Sequence, residues 1–170
     1  MGYRDELVNE GHRIEEDSLW SAKCHFCSAE ILKWLHLGIG IPAVFVMTLA
    51  AALPKSDITQ GATVTFLAAI GAVLSGLIAF LNPKKEGQRH HGAGNEYIAL
   101  RNKGRIFSSL EAPYIDEGQA KTLLDRLSAE RDKLNRESPN ILRPAYWWAR
   151  RGIAGGQANH QVDKEAPEKG

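Results

Sequence analysis

The densest group of reactive side chains in the sequence is Cys24-His25-Phe26-Cys27. A CxxC pair can cycle between dithiol and disulfide, or supply half of a metal site. A structural zinc site needs two further ligands. His90 and His91 have the right chemistry but stand far along the chain, and would serve only if folding brought them to the thiols. Two small apolar thiols on one helix is the plainer reading, so no metal ligand and no cofactor is assigned. The run His90-His91-Gly92-Ala93-Gly94-Asn95 reads as a flexible basic turn. Its glycines do not follow a strand, so it is not a dinucleotide fingerprint. GxxxxGK[ST], GxSxG and HExxH do not occur, and no paired carboxylates stand in a catalytic context. No catalytic residue is assigned, and the chain is not expected to be an enzyme.

The elements that would position any site are dominated by charge segregation. The chain is 44% hydrophobic and 24% charged, which taken as an average describes an ordinary globular protein. Yet no charged residue lies between Lys33 and Lys55, or between Asp57 and Lys84. Trp34–Pro54 and Ile58–Pro83 are each long enough to cross a bilayer core as a helix, which takes about 20 apolar residues. The connector Pro54-Lys55-Ser56-Asp57 is short, so the two spans are expected as an antiparallel hairpin. Lys23 and Lys33 precede the first span, and Lys84, Lys85 and Arg89 follow the second, against Lys55 alone in the connector. The positive-inside rule then places both termini in the cytoplasm. Met1-Gly2-Tyr3-Arg4-Asp5-Glu6 reads as neither a signal peptide nor a myristoylation signal.

Within the second span, Thr65, Ala68, Ala69, Ala72, Ser75, Gly76 and Ala79 recur at three- and four-residue spacing. Small residues on one side let helices approach closely in lipid. This face packs on the first span of the same chain, or it also packs between protomers or lines a pore. Gly38, Gly40 and Pro42 weaken the first span, as a static kink or as a gating hinge. Neither span holds Asp, Glu, Lys or Arg, which disfavours an ion-coupled pump. Two helices cannot enclose a channel, so a pore requires a homo-oligomer.

Outside the spans the pattern is helical and amphipathic. Leu19, Ala22, Phe26 and Ala29 mark a helix running into the first span. Tyr97, Leu100, Gly104 and Phe107 mark one after the second, ended by Pro113. A further helix starts near the N-cap candidate Asp116, carries Ala120, Leu123, Leu124, Leu127 and Leu134, and stops before Pro139. Tyr146, Trp147 and Trp148, followed by Arg150 and Arg151, suit a membrane surface and suit docking on the other helices equally well. With His90, His91 and Tyr97 they are the candidate contacts for a ligand or partner. The predicted fold is all-α: a membrane-integral two-helix hairpin with a cytoplasmic helical bundle, oligomeric. Its segments are a leading helix over 1–33, the hairpin over 34–83, a helical region over 84–151 and a disordered tail over 152–170. The net charge of +1 gives no reason to expect nucleic acid as a partner.

The order of these features resembles the SLATT family of two-transmembrane effectors in bacterial nucleotide-signalling conflict systems. The resemblance is carried by Glu16-Asp17-Ser18-Leu19-Trp20-Ser21-Ala22-Lys23 before the first span, by Ala79-Phe80-Leu81-Asn82-Pro83 closing the second, and by His90/His91, Gly94, Tyr97 and Leu100 after it. It covers roughly residues 12–150 and implies an inner-membrane effector of antiphage defence that oligomerises and breaches the membrane. No fused synthase or sensor is read in the chain, so the resemblance implies a trigger from a neighbouring nucleotide-synthesising enzyme or sensor protein. A membrane-anchored adaptor that recruits a cytoplasmic partner is the alternative. The family has no catalytic residues to carry over.

Overall fold

In a computed structural model, residues 2–53 and 58–154 are described. The connector 54–57 and the expected tail from 155 onward lie outside the described residues. Among those described the chain is all-helical: α1 Tyr3–Ala52, α2 Ile58–Leu81, α3 Pro83–Ile106, a π-helical turn Phe107–Glu111, α4 Glu117–Glu137 and α5 Arg143–Ala154. Their contacts divide into two units, Met1–Ser28 with Arg89–Gly170, and Ala29–Gln88. The leading and trailing segments, separate in sequence, thus build one unit together.

In the Ala29–Gln88 unit, α1 and α2 run antiparallel. Gly40 faces Ile78, and Gly71 faces Met47. α1 continues through Pro42 as a single helix. α2 ends at Leu81 because Asn82 takes a left-handed φ of 41°, a conformation that asparagine tolerates better than most residues. Asn82 O then accepts from Lys85 N and Glu86 N at 3.1 and 3.2 Å, and Pro83, which has no N–H to satisfy, opens α3. Both α1 and α2 contain stretches long and apolar enough to cross a membrane, and only 11% and 6% of those stretches is buried inside the protein.

The other unit is a bundle of α1, α3 and α4 with α5 added. α1 and α3 lie so close that a Cβ at Gly104 would meet Gly11 O and Glu15 N at 3.3 Å. Leu7, Ile14, Leu100, Phe107, Ala112, Ala120, Leu124 and Leu127 form its apolar core. The π turn is closed by Ala112 N donating to Phe107 O at 2.8 Å. Asp116 caps α4 by accepting from Gly118 N at 2.9 Å. α4 stops at Glu137, where Ser138 turns extended ahead of Pro139.

Two expectations need correction. His90–Asn95 is not a turn: it lies within α3. Gly94 serves packing rather than flexibility there, since a Cβ on it would stand 2.7 Å from the Phe26 ring. The region from Gly152 does not leave the helix at once, because α5 extends to Ala154.

Candidate functional site

The buried stripe of α1 in the bundle is Leu7, Gly11, Ile14, Ser18, Ala22, His25 and Ser28. Of the expected stripe of Leu19, Ala22, Phe26 and Ala29, only Ala22 lies on it; the other three stand about one residue to the side and are only partly buried. The seam is rich in small and polar residues. Ser28 Oγ donates to Cys24 O at 2.9 Å and accepts from Leu142 N at 3.3 Å. At its centre, His25 Nδ1 and His90 Nδ1 are 2.9 Å apart. One ring must donate and the other accept, so at least one is neutral. The Tyr97 ring stacks on His25 with centroids 5.5 Å apart, and Tyr97 OH donates to Asn135 Oδ1 at 2.7 Å. Burial, then the neighbouring His90, lowers the pKa of His25 to about 4.

His90 and Tyr97, two of the candidate contact residues, are therefore buried at 3% exposure each and belong to the bundle's interior. His91 is exposed and packs edge-on to Phe26, with centroids 5.4 Å apart. Cys24 is buried and Cys27 partly so. Burial raises the pKa of both thiols; Cys27 adds to the effect on Cys24, while Lys23 partly offsets it on Cys27. No group of three or more His, Cys, Asp or Glu side chains able to hold a metal ion occurs among the described residues.

Beside the seam a polar cavity of about 330 Å³ opens between α1, α3 and α4, with Trp20, Tyr97, Arg131 and Asn135 in its walls. Ser18 Oγ at its edge is buried and has no hydrogen-bond partner among the described residues. Arg131 lies 3.8 Å from Asp17 and 3.6 Å from Asp132.

In the apolar pair, the side of α2 that meets α1 is not the expected small-residue face. Gly71 is the buried glycine, set against the Met47 side chain and 3.8 Å, at its notional Cβ, from Ala43 O. Of the small-residue face only Ala68 is partly buried; Thr65, Ala69, Ala72, Ser75, Gly76 and Ala79 are exposed. A Cβ at Gly76 would meet nothing within 4 Å, and the same holds for Gly38. Along a flank of α1 runs an apolar groove between His36 and Thr48, lined by Gly40, Ile41, Val44 and Phe45.

Helix α5 carries Tyr146, Trp147 and Trp148, all exposed. The expectation that these rings dock on the other helices applies to Tyr146 in part, since it stacks on Trp20 at 6.5 Å. Compared with protein-family models, with curated proteins and with solved structures, the chain matches none.

Proposed function

We propose that the chain is a two-pass protein of a bacterial inner membrane, with both termini cytoplasmic, that breaches the membrane as a homo-oligomer. In this reading it is an effector of antiphage defence, released by a nucleotide signal or by a partner protein. The observation that carries the proposal is the orientation of α2, whose small-residue face is turned away from α1 of its own chain. In lipid no hydrophobic force drives helices together, so a row of Ala, Ser and Gly is useful chiefly where another backbone comes close. A face that its own hairpin leaves open is suited to another copy.

Depth supports the same pairing. Gly40 lies beside Ile78 and Met47 beside Gly71, so Ala72, Ser75, Gly76 and Ala79 stand at the level of the His36–Thr48 groove. When copies sit at one depth in a bilayer, the small face of one meets the groove of the next. That contact joins two different surfaces, and repeated within the plane of the bilayer it builds a ring where the rotation between copies closes. The apolar stretches support a bilayer as their surroundings, because a soluble core helix of this length would be mostly buried. A lumen made from such helices would be lined by hydroxyls and small apolar groups, with little charge selectivity. The defence context and the trigger rest on the SLATT resemblance.

The test is propidium uptake and membrane potential in bacteria expressing the chain with its neighbouring genes. Depolarisation that disappears when both apolar stretches are replaced by an unrelated hairpin supports the effector reading. Full function with the replaced hairpin, or an unperturbed membrane with the protein confirmed in the membrane fraction, overturns it in favour of an adaptor.

A further inference from the structure

The buried stripe of α4 is Ala120, Leu124 and Leu127. The same helical spacing carries it on to Arg131 and then Asn135. Apolar side chains thus give way to a guanidinium and an amide on the side of α4 that meets the bundle. From α1 the small side chains of Ser18 and Ser21 face the same space, and from α3 Tyr97 does. The result is the cavity of about 330 Å³ between the three helices, a volume at the lower end of those that hold small ligands.

Its interior offers donors. Ser18 is 1% exposed, and its hydroxyl has no hydrogen-bond partner among the described residues. A buried hydroxyl left unmet costs stability unless something enters to meet it. Tyr97 OH donates to Asn135 Oδ1 at 2.7 Å, which leaves the amide NH2 of Asn135 as its donor end. The Arg131 side chain is 24% exposed and stands 3.8 Å from Asp17 and 3.6 Å from Asp132, beyond the roughly 2.9 Å of a charge-assisted hydrogen bond. The guanidinium is therefore near both carboxylates and bonded to neither. The rim offers acceptors, since the Asp17 and Asp132 side chains are 66% and 53% exposed. Trp20 supplies an apolar wall, its indole stacked on the Tyr146 ring.

Charge selects among occupants. A phosphate would bring more negative charge beside two carboxylates that already outnumber the one guanidinium. A simple amine would meet the carboxylates but give Ser18, Asn135 and Arg131 nothing to donate to. A molecule with both a carboxylate and an ammonium group answers both ends of the cavity. We propose that the cavity binds an amino acid as its zwitterion, with the carboxylate held by Ser18, Asn135 and Arg131, the ammonium by Asp17 and Asp132, and an apolar side chain against Trp20. All six residues belong to the unit built from Met1–Ser28 and Arg89–Gly170. The site is thus independent of the pore reading and serves an effector and an adaptor alike.

The experiment is isothermal titration of the full chain in detergent with L-phenylalanine, phenethylamine and 3-phenylpropionate. The three share one ring and carry both charges, the ammonium alone or the carboxylate alone. L-Phenylalanine should bind, and each truncated analogue should bind at least about tenfold more weakly, the worth of one hydrogen bond to a charged group. Ser18→Ala should weaken L-phenylalanine several-fold. Arg131→Gln should shrink the preference over phenethylamine, and Asp17→Asn/Asp132→Asn the preference over 3-phenylpropionate. The comparison of ligands on the unaltered chain stands even where a variant fails to fold. No binding of L-phenylalanine would overturn the proposal and leave the cavity to water alone. So would a truncated analogue that binds as tightly as L-phenylalanine, which would assign the cavity to a simple amine or a simple anion.

Discussion

His25 and His90, 65 residues apart in sequence, face each other Nδ1 to Nδ1 at 2.9 Å inside the helical bundle. The Tyr97 ring, also titratable, stacks on His25. Two such rings cannot both be protonated without placing like charges in contact inside a buried seam. The pKa of His25 falls from the ordinary 6.5 to about 4, so between those values the unfolded chain binds the proton that the folded chain refuses. Stability from this site is therefore complete above 6.5 and is lost as pH falls toward 4, below which the loss levels off. The expected loss is on the order of 3 kcal/mol. Thermal unfolding of the detergent-solubilised protein across that range should show it, and His25→Phe/His90→Phe should flatten the slope. An unchanged slope in the double variant would assign the acid sensitivity to other groups.

Gly92 and Gly94 occupy the same helix with opposite consequences. A Cβ at Gly94 would press on three atoms of the Phe26 ring, whereas at Gly92 it would meet nothing within 4 Å. Gly94→Ala should destabilise the bundle by about 1–3 kcal/mol through overpacking. Gly92→Ala should stabilise it by up to about 1 kcal/mol, because an exposed helical glycine gives way to a better helix former. Paired melting curves check both, and an equal response at the two positions would contradict this account of α3.

These two glycines also show what the sequence could and could not reveal. Asp116 and Pro139 bracket α4 through local chemistry, a side-chain cap and a pre-proline restriction, and both are legible in the chain itself. The absence of charge over residues 58–83 likewise marks α2 without any tertiary information. The inner seam of α1 was only partly legible from apolar periodicity: Ala22 falls on it, but Gly11, Ser18, His25 and Ser28 are buried while Leu19 and Phe26 are only partly so. What recurs there is small size and internal hydrogen bonding rather than apolarity. His90–Asn95 misleads in the same way: two glycines look like a turn until Phe26, from a distant part of the chain, is found pressed against one of them. The turning of α2 was equally hidden. Gly71 and Gly76 look alike in sequence, and only the Met47 contact distinguishes the inward one.

The thiols of Cys24 and Cys27 should behave as packing groups. Burial raises both pKa values, and only Cys27 has a cation, Lys23, working against that rise. The thiolate is the reactive form, so both residues should alkylate more slowly at neutral pH than glutathione, with Cys27 reacting ahead of Cys24. Mass spectrometry after timed N-ethylmaleimide treatment of the folded protein measures the order. Cys24→Ser/Cys27→Ser should leave membrane activity unchanged; loss of activity with the fold intact would reinstate a redox or metal role.

Gly71 and Gly76 separate packing within a chain from packing between chains. Gly71 abuts Met47 and the backbone of Ala43, so Gly71→Leu should drive α2 away from α1 and lower the yield of correctly inserted monomer. Gly76 has open space where a side chain would go, so Gly76→Leu should leave insertion and monomer stability intact. It should nevertheless abolish the oligomer on native gels and the depolarisation of cells, because the added side chain holds the next copy's α1 away from the small-residue face. Cysteine cross-linking between Ser75→Cys and Val44→Cys in a background lacking the native thiols gives the direct readout. A cross-link should form between copies of the otherwise unaltered pair of helices and disappear with Gly76→Leu. Wild-type cell killing by Gly76→Leu would show that the open face of α2 is not where copies meet, and the ring built on it would fall with that result.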